Sequence, residues 1–130
     1  QDGECVVVAG GTGVSPVRGV IDALNETKDA QDKHVILGFK SPSDMLFRDD
    51  IARWEKNMDL ILTMDKEAEG YTGNVGLVTK YIPDLKLKNV ETAQAVVVGP
   101  TAMMKFSVIE LLKRGLKEEN VLWYWKMWTL

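Results

Sequence analysis

Cysteine and histidine are scarce in this sequence, and so is any excess of positive charge. The 130 residues include one cysteine, Cys5, and one histidine, His34. A single thiol excludes a disulfide within the chain, as is typical of a reducing, cytoplasmic compartment. Lysine and arginine number 16 against 19 aspartates and glutamates, which gives a net charge of -3. Because phosphate backbones bind basic surfaces, nucleic acid is excluded as the main partner.

Long apolar runs are missing as well. No stretch approaches the roughly 18 to 20 apolar residues that span a bilayer, and no charged-then-apolar leader opens the chain, so no membrane partner is expected. His34 has no acidic or cysteine partner at a recognisable spacing and is interpreted as structural. Cys5 lies in an apolar run, where an inert core thiol is expected. Nothing has the spacing of a metal site or of a catalytic nucleophile.

Five β-rich runs alternate with helical patterns along the chain. The predicted strands are residues 5–9, 34–39, 59–63, 95–98 and 120–124. Apolar residues at helical spacing predict helices over residues 17–24, 47–58 and 104–112, and a short one over 77–81. This alternation predicts one α/β domain over residues 1–130, a doubly wound, five-stranded parallel sheet with helices on both faces. Since a strand begins after only four residues, we expect a domain excised from a longer polypeptide.

A glycine-rich loop follows the first predicted strand. Its sequence, GGTGVSP, comprises Gly10, Gly11, Thr12, Gly13, Val14, Ser15 and Pro16. Glycines between a strand and a helix let bare backbone N–H groups approach a pyrophosphate. The loop is neither a G-x-G-x-x-G fingerprint, because Pro16 replaces the third glycine, nor a Walker loop. The alternative interpretation is a glycine turn with a purely structural role.

Two further strand ends carry unusual residues. At the end of the second strand, Lys40 and Ser41 would suit a ribose 2′-phosphate, or are a solvated lysine and a helix cap. At the end of the fourth strand, Gly99 lets a flat ligand lie close to the backbone, and Pro100 opens a helix whose N-terminus can face a ribose or phosphate. Met103, beside this helix start, lines the ligand or packs in the core.

Four motifs in a fixed order resemble the NAD(P)-binding domain of the ferredoxin–NADP reductase superfamily. They are GGTGVSP (residues 10–16), GFKSPSD (38–44), TMDKEAEGYTGNVGLVT (63–79) and VVGPTAMM (97–104). The resemblance covers roughly residues 4–120 and is greatest to the B subunit of anaerobic sulfite reductase and the gamma subunits of sulfhydrogenases. It implies hydride transfer from NAD(P)H to FAD or FMN in a preceding barrel domain, within a complex with other reductase subunits.

The resemblance also implies a role for each motif. Residues 10–16 would hold the pyrophosphate, and Lys40 with Ser41 would face the adenosine ribose. The adenine side would be bordered by Thr63 and Asp65, and the nicotinamide ribose by Gly99, Pro100 and Met103. Many relatives carry a cysteine directly before the Gly-Pro pair, where this chain has Val98, so no thiol would assist the hydride there.

The resemblance ends after Asn120. Relatives continue into a cysteine cluster that holds a [2Fe–2S] centre, whereas the last eight residues here include three tryptophans. If the Leu122 codon ends in G, the same DNA read from the second base of that codon spells Cys-Gly-(Ile/Thr)-Gly-(Lys/Arg)-Cys-Gly, the start of a cluster-binding pattern. We therefore hypothesise that residues 121–130 are a frameshifted, non-native tail. The alternative is a genuine hydrophobic final strand. In either case this sequence has no iron–sulfur ligands.

Three functions remain open at this point. The first is the pyridine-nucleotide domain of an electron-transfer flavoprotein, which alone would bind NAD(P)H without turnover. The second is a dinucleotide sensor without a redox role, and the third is an α/β module for another adenine nucleotide. The sequence leaves open the choice between NADH and NADPH and the terminal electron acceptor.

Overall fold

The computed structural model describes residues 3–123, in which strands and helices alternate. The elements are β1 (Cys5–Gly10), α1 (Val14–Asn25), β2 (Lys33–Phe39), α2 (Arg48–Trp54), β3 (Asp59–Met64), β4 (Asn74–Val75), α3 (Val78–Tyr81), β5 (Gln94–Val98), α4 (Thr101–Arg114) and β6 (Val121–Trp123). Among the described residues no helix has the length and apolarity needed to cross a membrane.

The strands form one parallel sheet in the order β4-β3-β2-β1-β5-β6. The predicted doubly wound α/β architecture is confirmed, but the predicted number of five strands is wrong. The additional strand, β4, has two residues, which pair with Thr63 and Met64 at the edge of the sheet. A two-residue strand inside a polar loop has no periodicity, so the sequence pattern could not indicate it.

The sheet is buried on both faces, which explains the continuous apolar runs of β1 and β2. Successive residues of β1 point to opposite faces, so that Val7 and Ala9 enter one core and Val6 and Val8 the other. The first core is closed by α1 and α2 through the buried residues Val17, Ile21, Ile51 and Trp54. The second core is closed by α3 and α4 through Val78, Met104 and Leu111, together with Ile82 directly after α3.

A buried polar cluster lies at the amino ends of the strands. His34 is 1% exposed, as befits a structural residue, but the expectation that it lacks acidic partners is wrong. Its Nδ1 lies 2.6 Å from Asp59 Oδ2 and its Nε2 2.8 Å from Glu4 Oε2. These partners begin or precede neighbouring strands, 25 and 30 residues away along the chain, so only the sheet brings them together.

The same carboxylates hold the segment that leads into β5. Glu4 accepts the backbone N–H groups of Lys88 and Asn89, at 2.9 and 2.5 Å, and Asp59 accepts that of Lys86 at 2.9 Å. Burial opposes the charged form of Glu4, but these N–H donors and His34 outweigh it, so the pKa of Glu4 is lowered. Hydrogen bonds to the Glu4 and Asp59 carboxylates therefore fix the amino end of the sheet. A ligand site is expected at the opposite, carboxyl end.

Candidate functional site

The glycine-rich loop turns the chain tightly from β1 into α1. Gly11 has φ of 59°, a left-handed conformation that favours glycine. Gly13 packs against the end of β5, where an added Cβ would lie 2.6 Å from the carbonyl oxygen of Val98. Any side chain at Gly13 would push the loop away from β5. The glycines thus serve both the turn and the close approach of two strand ends.

The N-terminus of α1 is free of side-chain caps in the described structure. The helix begins at Val14 with Gly13 as its N-cap, its first turn contains no acidic residue, and no side chain bonds its first N–H groups. Val14 is fully buried, whereas Gly11, Thr12 and Pro16 are exposed. The N–H of Val14 donates to the carbonyl of Gly11. The remaining exposed N–H groups of the loop and the helix dipole together favour an anion at this position.

A cleft of about 350 Å³ opens beside this loop, at the carboxyl edge of the sheet. Its walls come from the ends of β1, β2 and β3 and from the starts of α3 and α4. Of the residues predicted to bind a ligand, the cleft is lined by Gly10, Gly11, Lys40, Asp65, Pro100 and Met103. Four separate segments of the chain therefore converge where the sequence predicted a site.

The remaining predicted residues do not line the cleft. Thr12, Gly13, Val14 and Pro16 form the loop and helix start next to it, and Gly99 lies under Met103.

Thr63 and Ser41 make other contacts. Thr63 is fully buried, and its hydroxyl donates to the carbonyl of Gly76 at 2.8 Å, which ties the 65–76 loop to β3. Ser41 donates its hydroxyl to Asp44 at 2.9 Å and lies 2.9 Å from the hydroxyl of Ser43. In this arrangement Thr63 positions a loop rather than facing the cleft.

Sequence patterns missed several apolar residues of the cleft. Leu77 is 61% exposed and Phe106 58% exposed, and both line the cleft, together with Gly38, Phe39, Val78, Thr79 and Ala102. Phe106 lies two positions beyond Met104 and outside its buried face, and that off-face position is the signal that could have drawn attention to it. Large exposed apolar side chains at the mouth of a cleft are typical of a site for a planar ligand.

Close packing explains why the next-to-last residue of β2 is a glycine, Gly38. A Cβ at Gly38 would lie 2.6 Å from Cγ1 of Val78, so α3 can approach the sheet only over a glycine. This approach brings Val78 and Thr79 to the cleft.

The cleft is built for binding rather than for acid–base chemistry. Among residues 3–123, the ionisable residues that line the cleft are Lys40 and Asp65, and both are exposed. No group of three histidine, cysteine or carboxylate side chains within residues 3–123 is placed to hold a metal ion. The apolar walls suit flat rings, and the adjacent helix terminus suits a phosphate.

The sequence profile of oxidoreductase NAD-binding domains matches residues 7–108. The gamma subunit of sulfhydrogenase 2 from Pyrococcus furiosus is 30% identical over 130 aligned residues, covering 89% of this chain and 45% of that subunit. Inducible nitrate reductase (NADH) 1 from Glycine max is 28% identical over 121 residues, covering 88% of this chain and 14% of that enzyme.

Solved structures share the fold. The cytochrome b5 reductase domain of Ulva prolifera nitrate reductase superposes with a TM-score of 0.79 at 22% identity, over 95% of this chain and 49% of that one. The present chain thus spans less than half the length of each of these three proteins.

Proposed function

This chain belongs to the family of oxidoreductase NAD-binding domains, in agreement with the resemblance carried by its motifs, and we propose that it is the NAD(P)H-binding domain of an electron-transfer flavoprotein. It holds the reduced dinucleotide so that a hydride passes to FAD or FMN in a separate barrel domain. The observation that carries the proposal is the uncapped N-terminus of α1, which meets an apolar cleft at the carboxyl edge of the sheet.

The diphosphate is the part of the ligand that the glycine loop accommodates. The N–H of Val14 donates to the carbonyl of Gly11, so the donors left for a ligand in this loop are those of Gly11, Thr12 and Ser15, which have no competing side-chain cap among the described residues. Pro16 has no N–H to satisfy. A diphosphate would accept from these donors and gain from the positive end of the α1 dipole. The glycines leave the backbone bare, so the oxygens can reach it.

The two halves of the dinucleotide extend from this point along the cleft edge. We place the adenosine ribose near Lys40 and Ser41 and the adenine side near Asp65, with Thr63 acting through the loop that it anchors. The nicotinamide ribose lies near Gly99, Pro100 and Met103.

Bound NAD(P)H supplies the hydride, and the chain supplies position. Hydride transfer needs donor and acceptor about 3 to 3.5 Å apart. Because the flavin belongs to another domain, the chain by itself binds without turnover.

We further propose a setting for this domain. The flavin barrel and further reductase subunits are its partners, in a cytoplasmic complex of the anaerobic sulfite reductase type. The similarity to a sulfhydrogenase gamma subunit supports a multi-subunit setting.

Titration calorimetry of the chain with NADH, NADPH and S-adenosylmethionine tests the binding proposal. We expect saturable binding of a nicotinamide dinucleotide and none of the methyl donor. A preference for S-adenosylmethionine would overturn the proposal in favour of another adenine-nucleotide module. Addition of the flavin domain then separates a reductase from a sensor, since only a reductase would bleach flavin absorbance on addition of NADH or NADPH.

The frameshift hypothesis for residues 121–130 has its own test. Val121–Trp123 form β6 beside β5, and residues 124–130 lie outside the described structure. We propose that the intact gene continues into cysteine ligands for a [2Fe–2S] cluster. Sequencing the encoding DNA decides this, because a shifted frame that does not spell Cys-Gly-x-Gly-x-Cys-Gly would end the hypothesis.

A further inference from the structure

Met103 occupies a position that differs from that of its neighbour Met104. Met104 is 3% exposed and packs in the core between α4 and the sheet. Met103 is half-buried: it packs against the same core and also lines the cleft. Met103 belongs to the first turn of α4, directly behind the Gly-Pro pair. Adjacent methionines on one helix thus have different surroundings, and only one of them faces the ligand site.

The thioether of Met103 rests on two bare glycines. A Cβ at Gly10 would lie 2.6 Å from Met103 Sδ, and a Cβ at Gly99 would lie 2.7 Å from Sδ and 2.8 Å from Cε. Gly10 ends β1 and Gly99 follows β5, which are neighbouring strands. The sulfur therefore fills the gap between two strand ends, and this gap exists only because both residues are glycine.

This gap is the crevice at which the winding of the sheet reverses. The helix after β1 packs on one face of the sheet, and the helix after β5 packs on the other. In doubly wound sheets the ligand enters where the two connections diverge. Here a side chain of the protein already lies on the surface that a flat ring would need.

We propose, on the basis of the dinucleotide site proposed above, that Met103 is a displaceable plug of the nicotinamide end of the site. In the unliganded chain its thioether covers Gly10 and Gly99, and it swings into the open cleft toward Phe106 when the nicotinamide ring enters. Methionine suits this role because its side chain is unbranched, uncharged and rotates freely about three bonds. The open cleft beside it offers the space into which it moves.

The plug lowers the affinity for the nicotinamide half of the dinucleotide and leaves binding of the ADP half unaffected. ADP-ribose has the adenosine, the diphosphate and the second ribose but no nicotinamide. Its second ribose lies near Met103, but only the nicotinamide ring needs the space that the thioether fills, so ADP-ribose binds without displacing the thioether. NADH must displace the thioether, and its apparent affinity falls by the fraction of molecules in which the crevice is open. The ratio of the NADH and ADP-ribose dissociation constants therefore measures the free-energy cost of displacing Met103, because effects common to both ligands cancel.

Calorimetric titration of the wild-type chain, Met103→Ala and Met104→Leu with both ligands tests the inference. In Met103→Ala we expect NADH to bind about tenfold more tightly relative to ADP-ribose, corresponding to about 1.4 kcal/mol, while ADP-ribose affinity stays within about threefold. Met104→Leu is the matched control in the core and leaves the ratio unchanged. An unchanged ratio in Met103→Ala, or a selective loss of NADH affinity, would overturn the plug.

A spectroscopic measurement on the wild-type chain does not depend on any variant folding. With 13C-labelled methionine methyl groups, NADH should shift the Met103 signal strongly, and ADP-ribose, whose second ribose only lies near the side chain, should shift it much less. A Met103 signal that responds equally to both ligands contradicts the inference. If ADP-ribose binds and the tests of Met103 fail, only the plug proposal is wrong. If neither ligand binds the wild-type chain, the proposed dinucleotide site is wrong, and so is the plug proposal that rests on it.

Discussion

Replacing Glu4 by glutamine tests the buried cluster that closes the end of the sheet opposite the cleft. The Glu4 side chain is 4% exposed and accepts hydrogen bonds from two backbone N–H groups, and it lies 2.8 Å from the His34 ring. Glutamine keeps the shape but removes the charge and turns an N–H2 group toward these donors. A hydrogen bond to a charged group contributes about 1.5 to 3 kcal/mol. We expect Glu4→Gln to lose about 3 kcal/mol of unfolding free energy at pH 7, because the carboxylate accepts from two backbone N–H groups and glutamine keeps only one acceptor oxygen.

The pH dependence gives this prediction a definite sign. Since the folded pKa of Glu4 is lowered, the folded chain binds fewer protons than the unfolded chain in the acid range. The stabilisation by Glu4 is complete above the unfolded value of about 4.3 and is lost as the pH falls through the folded pKa. The wild-type chain should therefore exceed Glu4→Gln in stability at neutral pH, and this difference should shrink as the pH falls below about 4.3.

Urea denaturation followed by circular dichroism at several pH values between 3.5 and 7 measures both effects. Glu67→Gln, which changes an exposed glutamate on the 65–76 loop, is the control and should alter stability by less than about 0.5 kcal/mol. A loss below about 1 kcal/mol for Glu4→Gln at pH 7 would refute the estimate made from the hydrogen bonds to the buried carboxylate. A free-energy difference that does not shrink in acid would refute the assigned direction of the pKa shift.

Three further substitutions test the site and its support. Gly13→Ala places a Cβ against the Val98 carbonyl and should weaken dinucleotide binding at least tenfold and cost about 1 to 3 kcal/mol of stability, as calorimetry and urea denaturation can measure. Gly19→Ala, in α1 with open space around it, should add about 0.5 to 1 kcal/mol of stability and leave binding within about twofold. Phe106→Ala should change stability by less than about 0.5 kcal/mol yet weaken NADH binding severalfold, because its ring is exposed at the cleft; equal binding would remove Phe106 from the site.

The architecture was predictable because its strongest signals are local. Val6, Val7 and Val8 are β-branched and continuous, which is what a strand buried on both faces requires. The helix spacing of Val17 and Ile21 and the stop at Gly115, whose φ is 110°, are equally local. These patterns indicate element type and order directly, so the parallel sheet followed from the sequence.

The parts that the sequence could not predict depend on distant neighbours. The two residues of β4 pair because Thr63 anchors their loop to β3, and His34 meets Glu4 and Asp59 only across the sheet. At the site, the glycine loop and the strand ends were predictable from composition. The position of Met103 over Gly10 and Gly99 was not, because it depends on a side-chain direction.

The central claim is that backbone N–H groups of the loop from Gly10 to Pro16 bind the diphosphate of a nicotinamide dinucleotide. A crystal structure of the chain with bound NADH tests it most directly. We expect diphosphate oxygens within hydrogen-bonding distance of the N–H groups of Gly11, Thr12 or Ser15, at the start of α1. Density for the dinucleotide elsewhere, or an empty glycine loop at saturating ligand, would contradict it.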